Sequence, residues 1–197
     1  MIQRALISVY DKTGLEVLLP VLEDLGVTII SSGGTAQRIR EIGYNRIIDV
    51  EAYTDHPESP GGLVKTLHPK IHGGILLNPD IPEHQEYLAE NDIDPIDLIV
   101  VNLYPFEETV TSGAGLKEAA ENIDIGGPTM IRSAAKAALL YNHVAVVVDP
   151  GDYMELADAL VENEGCVPSE TIMRLAENAF KHTAHYENVI NDYLEAQ

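Results

Sequence analysis

Five short apolar segments rich in β-forming residues constrain the fold of this chain more than any other feature. They cover residues 5–9, 28–32, 47–50, 98–103 and 144–148. Two of them, LIVVNL and VAVVV, are apolar on both faces, which is typical of strands buried inside a parallel sheet. Because helical patterns separate the five segments, the sequence predicts an α/β protein with a doubly wound, mainly parallel five-stranded sheet and a helical C-terminal extension.

The segments between the predicted strands carry apolar residues at helical spacing. Gly26 and Gly43 are expected to cap helix C-termini, and Ser169 is expected to cap the N-terminus of the last helix. By contrast, residues 51–80 are predicted to form a long, weakly structured segment, and such a segment is usually functional. The predicted helices cover residues 14–25, 35–42, 82–91, 128–140, 152–162 and 169–194.

Length and composition fit one globular domain. The chain has 197 residues, of which 45% are hydrophobic, so it can bury a sizeable core. No apolar run approaches the about 18 residues of a membrane span, and the N-terminus lacks the apolar region of a signal peptide. The single Cys166 excludes an internal disulfide and a multi-cysteine zinc site. We therefore expect a soluble, cytoplasmic protein with no membrane partner, and one domain with a core over residues 1–150 and a helical extension over 151–197.

The charge of the chain is strongly negative. There are 32 acidic and 12 basic residues, which give a net charge of −20. Such a surface repels nucleic acid, so we expect no nucleic-acid partner. The few lysines are unevenly placed, since four of the six lie in segments with other signs of chemistry. This placement indicates that the protein holds an anion.

Two of these segments predict a phosphate site. SSGGTA, residues 31–36, follows the second strand and opens a helix, so its amides and the hydroxyls of Ser32 and Thr35, with Gly34 between them, would form a phosphate cradle. An ordinary glycine-rich turn is the alternative. SVYDKTGL, residues 8–15, ends the first strand, and ligands of open α/β sheets bind beyond such strand ends. Ser8 and Lys12 would therefore lie beside the cradle, unless Asp11 or Thr13 merely caps the first helix.

LVKTLHPKIHGG, residues 63–74, gathers cations in a segment that is rich in Gly and Pro. His68 and His72 have the spacing of a helical metal pair. Pro69 and the following glycine pair argue against a regular helix there, and no third ligand is evident, so no metal site is predicted. Lys65 and Thr66 are better candidates for binding an anionic or carbonyl oxygen.

Two further segments carry candidate catalytic side chains. In NLYPF, residues 102–106, Pro105 ends the strand and presents Tyr104 beside Asn102 as either a packing aromatic or an acid. In IDIGGPTMIRSAAK, residues 123–136, Asp124 precedes a glycine pair and a helix that carries Lys136. The alternatives are a helix-capping Asp124 and a solvated Lys136.

Together and in this order, the five segments resemble the inosine monophosphate (IMP) cyclohydrolase family. In the bifunctional purine-biosynthesis enzyme, this domain precedes an aminoimidazole-carboxamide ribonucleotide transformylase. The resemblance runs from about Ala5 to AENAFKHTAHYENVINDY near the C-terminus, and VKTLHPKIHGGIL, NLYPF and DIGGPTMIRSAAK are each specific. It implies a methylglyoxal-synthase-like fold and a stand-alone cyclohydrolase without the transformylase domain.

The resemblance also implies a reaction and a set of residues. The enzyme would close the six-membered ring of 5-formamidoimidazole-4-carboxamide ribonucleotide (FAICAR) to give IMP and water, without metal or organic cofactor, as a homodimer supplied by a separate formyltransferase. Lys65 and Tyr104 would polarise and protonate the formyl oxygen, and Asp124, paired with Lys136, would handle the amide proton. The implied substrate-binding residues are Ser8, Lys12, Ser32, Gly34, Thr35, Thr66, Asn102, Ile125 and Gly126.

Two departures and two rival functions accompany this resemblance. Leu63 stands where the family usually has Arg, and Ala137 where it usually has Asn. A methylglyoxal-synthase-like lyase or a nucleotide- or phosphate-sensing regulatory module would also explain SSGGTA and Lys12. Neither rival explains the three specific motifs together.

Overall fold

Five parallel strands form the central sheet. The computed structural model describes residues 1–57, 59 and 64–196. Within them the strands lie in the order β3-β2-β1-β4-β5, and all four neighbouring pairs are parallel. The predicted parallel five-stranded sheet is therefore confirmed. The strands are β1 (Arg4–Ser8), β2 (Thr28–Ser31), β3 (Ile47–Asp49), β4 (Leu98–Val101) and β5 (Ala145–Val147).

Ten helices surround this sheet in the part of the chain that the structure describes. They are α1 (Leu15–Asp24), α2 (Gly33–Ile42), α3 (Val50–Thr54), α4 (Pro69–Leu76), α5 (Pro82–Glu90), α6 (Phe106–Thr111), α7 (Leu116–Glu121), α8 (Gly126–Tyr141), α9 (Tyr153–Glu162) and α10 (Ser169–Glu195). A 3₁₀ turn, Pro150–Asp152, precedes α9.

The strand order explains why helices cover both faces of the sheet. The chain moves outward from β1 through β2 to β3, then crosses back to β4 and β5 on the other side. Because crossovers between parallel strands are right-handed, the two directions place their helices on opposite faces. Accordingly, α1 packs against α9, and α8 packs against α4 and α10.

Burial of the strands matches their apolar sequences. All four residues of β4 and all three of β5, the strand at the edge of the sheet, are buried, as expected for strands that helices cover on both faces. The amphipathic α10 packs on α8 and β5 and so covers part of the sheet. Its buried residues are Ile172, Leu175, Ala176, Ala179, Thr183 and Tyr186.

The segment predicted to be weakly structured contains two helices, α3 and α4. In α4, Pro69 occupies the first turn, where a missing N–H costs nothing, and the His68 side chain accepts a hydrogen bond from Lys70 N. Gly74 lies so close to its neighbours that a Cβ there would stand 2.6 Å from the Asp94 carbonyl oxygen. The prediction of no regular helix was wrong because this Pro starts the helix and this Gly permits close packing.

Several local expectations can be compared with the structure. Gly26 and Gly43 adopt positive φ values of 71° and 106° after α1 and α2, which confirms both C-terminal caps. The prediction that Ser169 caps α10 was wrong, because Pro168 occupies the cap position and Ser169 is already helical.

Helices α6 and α7 were not predicted from the sequence. Gly61, Gly62 and Leu63 lie outside the described residues.

Candidate active site

A pocket opens at the edge of the sheet where β1, β2 and β4 end. Its cavity volume is about 540 Å³. Its walls come from these strand ends, from the segment before α4 and from the segment before α8. Every predicted site residue except Lys136 lines it, namely Ser8, Lys12, Ser32, Gly34, Thr35, Lys65, Thr66, Asn102, Tyr104, Asp124, Ile125 and Gly126.

Two lysines flank the phosphate cradle. Ser32 is the N-cap residue of α2, and no side chain accepts a hydrogen bond at this cap. The Lys65 ammonium nitrogen lies 3.5 Å from the point that a Cβ on Gly33 would occupy, and Lys12 Cε lies 3.7 Å from the equivalent point at Gly34. Since a helix N-terminus carries partial positive charge, this corner is suited to an anion even though the protein is strongly acidic.

The loop that carries Lys12 is fixed by two side chains of the predicted site. The Thr35 hydroxyl donates to Val9 O (2.9 Å) and accepts from Val9 N (3.2 Å). The Asn102 side-chain oxygen accepts from the amides of Tyr10 (2.7 Å) and Asp11 (2.9 Å), and its nitrogen donates to Asp11 O (2.8 Å). The Thr35 hydroxyl and the Asn102 side-chain amide thus bond to main-chain atoms of the protein, and these bonds hold the loop in place. Their direct contacts with substrate stay predictions.

Asp11 does not cap the first helix. Its side chain accepts from Thr13 N at 2.9 Å, whereas Gly14 is the N-cap of α1 and no side chain bonds there. The hydrogen bonds with Thr13 lower the pKa of Asp11 below its ordinary value. The capping alternative was therefore wrong, and Asp11 stabilises the turn beside Lys12. The Lys12 ammonium donates to the carbonyls of Val9 and Tyr10.

Two tyrosines stand together at the mouth of the pocket. Tyr104 is 53% exposed and Tyr10 is 51% exposed, and their ring centroids are 5.3 Å apart. Sequence reasoning selected Tyr104 but missed Tyr10. Tyr10 could have been predicted from its position, because it follows β1 just as Tyr104 follows β4. These two strands are neighbours in the sheet, so residues after their ends lie close together. The pair forms an exposed aromatic surface to which a planar ring can bind.

Asp124 is a partly buried carboxylate next to the start of α8. One oxygen accepts a hydrogen bond from Gly127 N at 2.9 Å. Burial raises the pKa of Asp124 above its ordinary value, and hydrogen bonds from the main-chain N–H groups of Gly127 and Tyr104 oppose that rise. Asp124 thus bonds the first turn of α8, as the capping alternative held, and it also faces the pocket. A carboxylate with a raised pKa is a stronger base than an ordinary one.

The glycine pair before Pro128 lets three segments meet. A Cβ on Gly126 would stand 2.6 Å from the Thr66 hydroxyl oxygen. A Cβ on Gly127 would stand 2.5 Å from Leu103 Cδ2 and 2.6 Å from Asp124 Oδ2. Real Cβ atoms essentially never approach other atoms so closely. A side chain at either position would therefore force its neighbours to shift, so the present geometry of the site depends on both glycines.

Lys136 lies apart from this pocket. It is exposed on α8, ten residues beyond Gly126, which corresponds to about 15 Å along a helix. No ion pair joins Lys136 to Asp124 in the described part of the chain. The expected pairing thus does not form here, because the helix carries Lys136 away from the strand ends. Its catalytic role stays a prediction. The neighbouring Ala137 is buried in the core.

The two histidines of the third segment have separate structural roles. His68 bonds the first turn of α4, and the His72 ring nitrogen Nδ1 lies 3.0 Å from the Ser133 hydroxyl. Burial lowers the pKa of His72. Across residues 1–57, 59 and 64–196, no group of three or more His, Cys, Asp or Glu side chains could hold a metal ion. None of the helices in the same residues combines the length and apolarity needed to cross a membrane.

Comparison with protein families agrees with this geometry. A family model described as an MGS-like domain matches residues 14–129, which is more than half of the chain. The chain belongs to the MGS-like domain family. A second model, described as the AICARFT/IMPCHase bienzyme, matches residues 134–197, which include the second half of α8 and all of α9 and α10.

Individual relatives of this MGS-like protein support the same assignment. It is 49% identical over 194 residues to the bifunctional purine biosynthesis protein PurH of Neisseria meningitidis, which covers 98% of this chain and 36% of the relative. The chain thus spans about a third of that relative's length. A solved structure described as the crystal structure of ForH superimposes with a TM-score of 0.83 at 30% identity, over 98% of this chain and 100% of that one. The fold and the family expected from the motifs are confirmed.

Proposed function

We propose that this protein is an IMP cyclohydrolase that closes the second ring of a purine ribonucleotide. The substrate would be FAICAR and the products IMP and water. The observation that carries this proposal is that Lys65, Tyr104 and Asp124, from three separate segments, line one pocket together with the phosphate cradle. Membership of the MGS-like family and the bienzyme match at the C-terminal helices support the same reaction.

The phosphate cradle would hold the 5′-phosphate of the ribonucleotide. The main-chain amides at the start of α2 and the Lys12 ammonium supply positive charge at that end of the pocket. One charge at a helix terminus is worth about 0.3–1 kcal/mol, and up to about 2 kcal/mol when it is partly buried. The net charge of −20 opposes a dianion only weakly, because charges beyond the Debye length of about 8 Å are screened at physiological salt.

The reacting groups would then lie at the Tyr104 and Asp124 end. The carboxamide nitrogen attacks the formyl carbon, a C–N bond forms, and Asp124 accepts one proton from that nitrogen. Lys65 and Tyr104 donate to the formyl oxygen, which becomes a hydroxyl. Loss of this hydroxyl with the proton of the former formamide nitrogen releases water and leaves the C=N bond of IMP.

Three physical contributions favour such a closure. Both reacting groups belong to one molecule, so little encounter entropy opposes the reaction. General acid–base catalysis contributes about 10²–10⁴-fold, and an oxyanion donor contributes about 10²–10³-fold. The raised pKa of Asp124 favours it as the base over an ordinary carboxylate. Both kinds of catalyst have candidates in this pocket.

The proposal includes the organisation of the enzyme. Residues 1–197 would act as one catalytic unit, with the sheet over residues 1–150 and the helices over residues 151–197 supporting the site. We further propose a homodimer that takes its formylated substrate from a separate formyltransferase and acts in the cytoplasm.

The test is the ultraviolet absorbance of the protein mixed with FAICAR, since ring closure changes the spectrum. We expect turnover by the wild-type protein, and loss of turnover with a retained fold in Lys65→Ala. A variant at Lys117, which is 92% exposed and forms an ion pair with Glu121, serves as the matched lysine control. Binding without spectral change would favour the sensing module, and phosphate release from a triose phosphate would favour the lyase. Either result would overturn the proposal.

A further inference from the structure

The main chain at Asp124 is bonded to a hydroxyl that lies far away in the sequence. Asp124 N donates to the Tyr186 hydroxyl oxygen at 2.7 Å, across 62 residues. The same hydroxyl lies 3.5 Å from the carbonyl oxygen of Asn122. Tyr186 belongs to α10 and is buried, with 7% of its surface exposed. One side chain of the C-terminal helix therefore holds the segment that carries the carboxylate.

The same helix also holds the segment that carries Tyr104. The ring of Phe106, two residues further along, packs edge-on against Tyr186 and Tyr193, with centroid distances of 6.2 Å and 5.9 Å. Phe106 is almost completely buried. Through these contacts α10 supports both Tyr104 and Asp124, although α10 itself contributes no residue to the lining of the pocket.

We propose that Tyr186 is a positioning residue for Asp124 in the cyclohydrolase reaction, an inference that rests on the function proposed above. The hydroxyl fixes the main chain at Asp124, and the bond from Gly127 N fixes one carboxylate oxygen. Together with the hydrogen bond from Tyr104 N–H, the two bonds hold the carboxylate in the lining of the pocket. Removal of the hydroxyl leaves the partly buried Asp124 N–H without its acceptor, which is costly. We expect the segment to move until this N–H bonds to water or to another acceptor.

The environment of Tyr186 favours the neutral, protonated form of its hydroxyl. Burial raises the pKa of Tyr186, so its hydroxyl accepts from Asp124 N while it keeps its own proton. Tyr186 contacts Asp124 from α10, and Glu187 lies beside Tyr186 on the same helix. The ionisable groups that line the pocket with Asp124 are Tyr10, Lys12, Lys65, Tyr104 and Glu121.

Tyr193 provides a matched control. It lies on the same helix and packs edge-on against the same Phe106, but its hydroxyl donates to Ala114 O at 3.0 Å, away from Asp124. Tyr186→Phe and Tyr193→Phe each remove one hydroxyl and keep the ring. Since a displacement of about 1 Å can cost about 10²-fold, we expect Tyr186→Phe to lower kcat by about 10- to 100-fold with little change in KM. We expect Tyr193→Phe to leave both constants near those of the wild type.

A second measurement separates positioning from general stability. Burial is the largest cause of the raised pKa of Asp124, so a loosened segment admits water and shifts the acid limb of the kcat profile to lower pH. We expect this shift in Tyr186→Phe and not in Tyr193→Phe. Equal losses in the two variants, or a raised KM with unchanged kcat in Tyr186→Phe, would overturn the role of Tyr186.

A failure of the proposed cyclohydrolase function can be distinguished from a failure of the positioning role of Tyr186. If the wild-type protein does not cyclise FAICAR, the function proposed above is wrong, whatever the variants do. An NMR titration of the Asp124 carboxyl carbon still decides the positioning in that case. A lowered pKa in Tyr186→Phe and an unchanged one in Tyr193→Phe would support it, and identical titrations in all three proteins would refute it.

Discussion

The side of the pocket that we propose binds phosphate and the side that we propose carries the reaction are built in different ways; we call them the phosphate side and the reacting side. The phosphate side comes from neighbouring elements, β1, β2 and α2, and its loop is fixed by hydrogen bonds of Thr35 and Asn102. The reacting side comes from segments that are distant in the sequence, which meet only because Gly126 and Gly127 permit close approach and α10 supports them. We infer that changes on the first side alter binding, whereas changes on the second alter the chemical step.

The largest effect is expected at the glycine pair. Gly127→Ala would drive a methyl group into Leu103 and the Asp124 carboxylate, so the carboxylate must move. We expect near-complete loss of kcat and a destabilisation of about 1–3 kcal/mol, the usual cost of overpacking. Gly115→Ala is the control, because nothing lies within 4 Å of a Cβ at that position. Steady-state kinetics and thermal unfolding of both variants measure the contrast, and an active Gly127→Ala enzyme would break the comparison.

Removal of one hydroxyl at the pocket mouth should have a smaller effect. Tyr104→Phe keeps the exposed ring beside Tyr10 but removes the proposed donor to the formyl oxygen. We expect kcat to fall by about 10²-fold, in the range of one acid–base group, while the affinity for IMP changes little. Rapid-mixing kinetics and calorimetric titration with IMP separate the two quantities. An unchanged kcat with a raised KM would assign Tyr104 to binding alone.

On the phosphate side, Lys12→Ala should mainly weaken binding. The Lys12 side chain borders the start of α2, where we propose that the ribonucleotide phosphate binds. We therefore expect its charge to act on the phosphate and not on the reacting groups. We expect KM to rise by about tenfold, which corresponds to about 1.4 kcal/mol, with kcat within a few-fold of the wild type. Lys117→Ala controls for the change in net charge. A loss confined to kcat would show that the two sides are not separable.

The pH dependence should give the smallest but most specific signal. The pKa of Asp124 is raised by burial, so the active carboxylate is lost as the pH falls through a value above that of an ordinary aspartate. The effect on stability has the opposite sign, because the protonated form favours the folded state and its contribution is lost as the pH rises through the same pKa. Asp124→Asn should remove both dependences. Rate and unfolding profiles of the two proteins measure them, and superimposable unfolding profiles would contradict the assignment.

The same contrast explains what could be predicted from the sequence. The strands were recognised because parallel β4 and β5 are apolar on both faces, and the phosphate cradle was recognised because its residues are contiguous. Helix α4 was missed because Pro69 and Gly74 usually interrupt helices, whereas here they start one and pack it tightly. Tyr186 could not be found, because a bond across 62 residues leaves no local pattern. Lys136 was predicted from the family resemblance. Helix α8 places it outside the lining of the pocket, and its catalytic role stays a prediction.

A structure of the protein with IMP bound tests the central claim most directly. Our account predicts the phosphate at the first amides of α2 beside Lys12, and the purine ring near Tyr104 with its closing atoms within hydrogen-bond distance of the Asp124 carboxylate. IMP bound outside this pocket, or bound in it with the ring at the start of α2 and the phosphate at Asp124, would contradict the account.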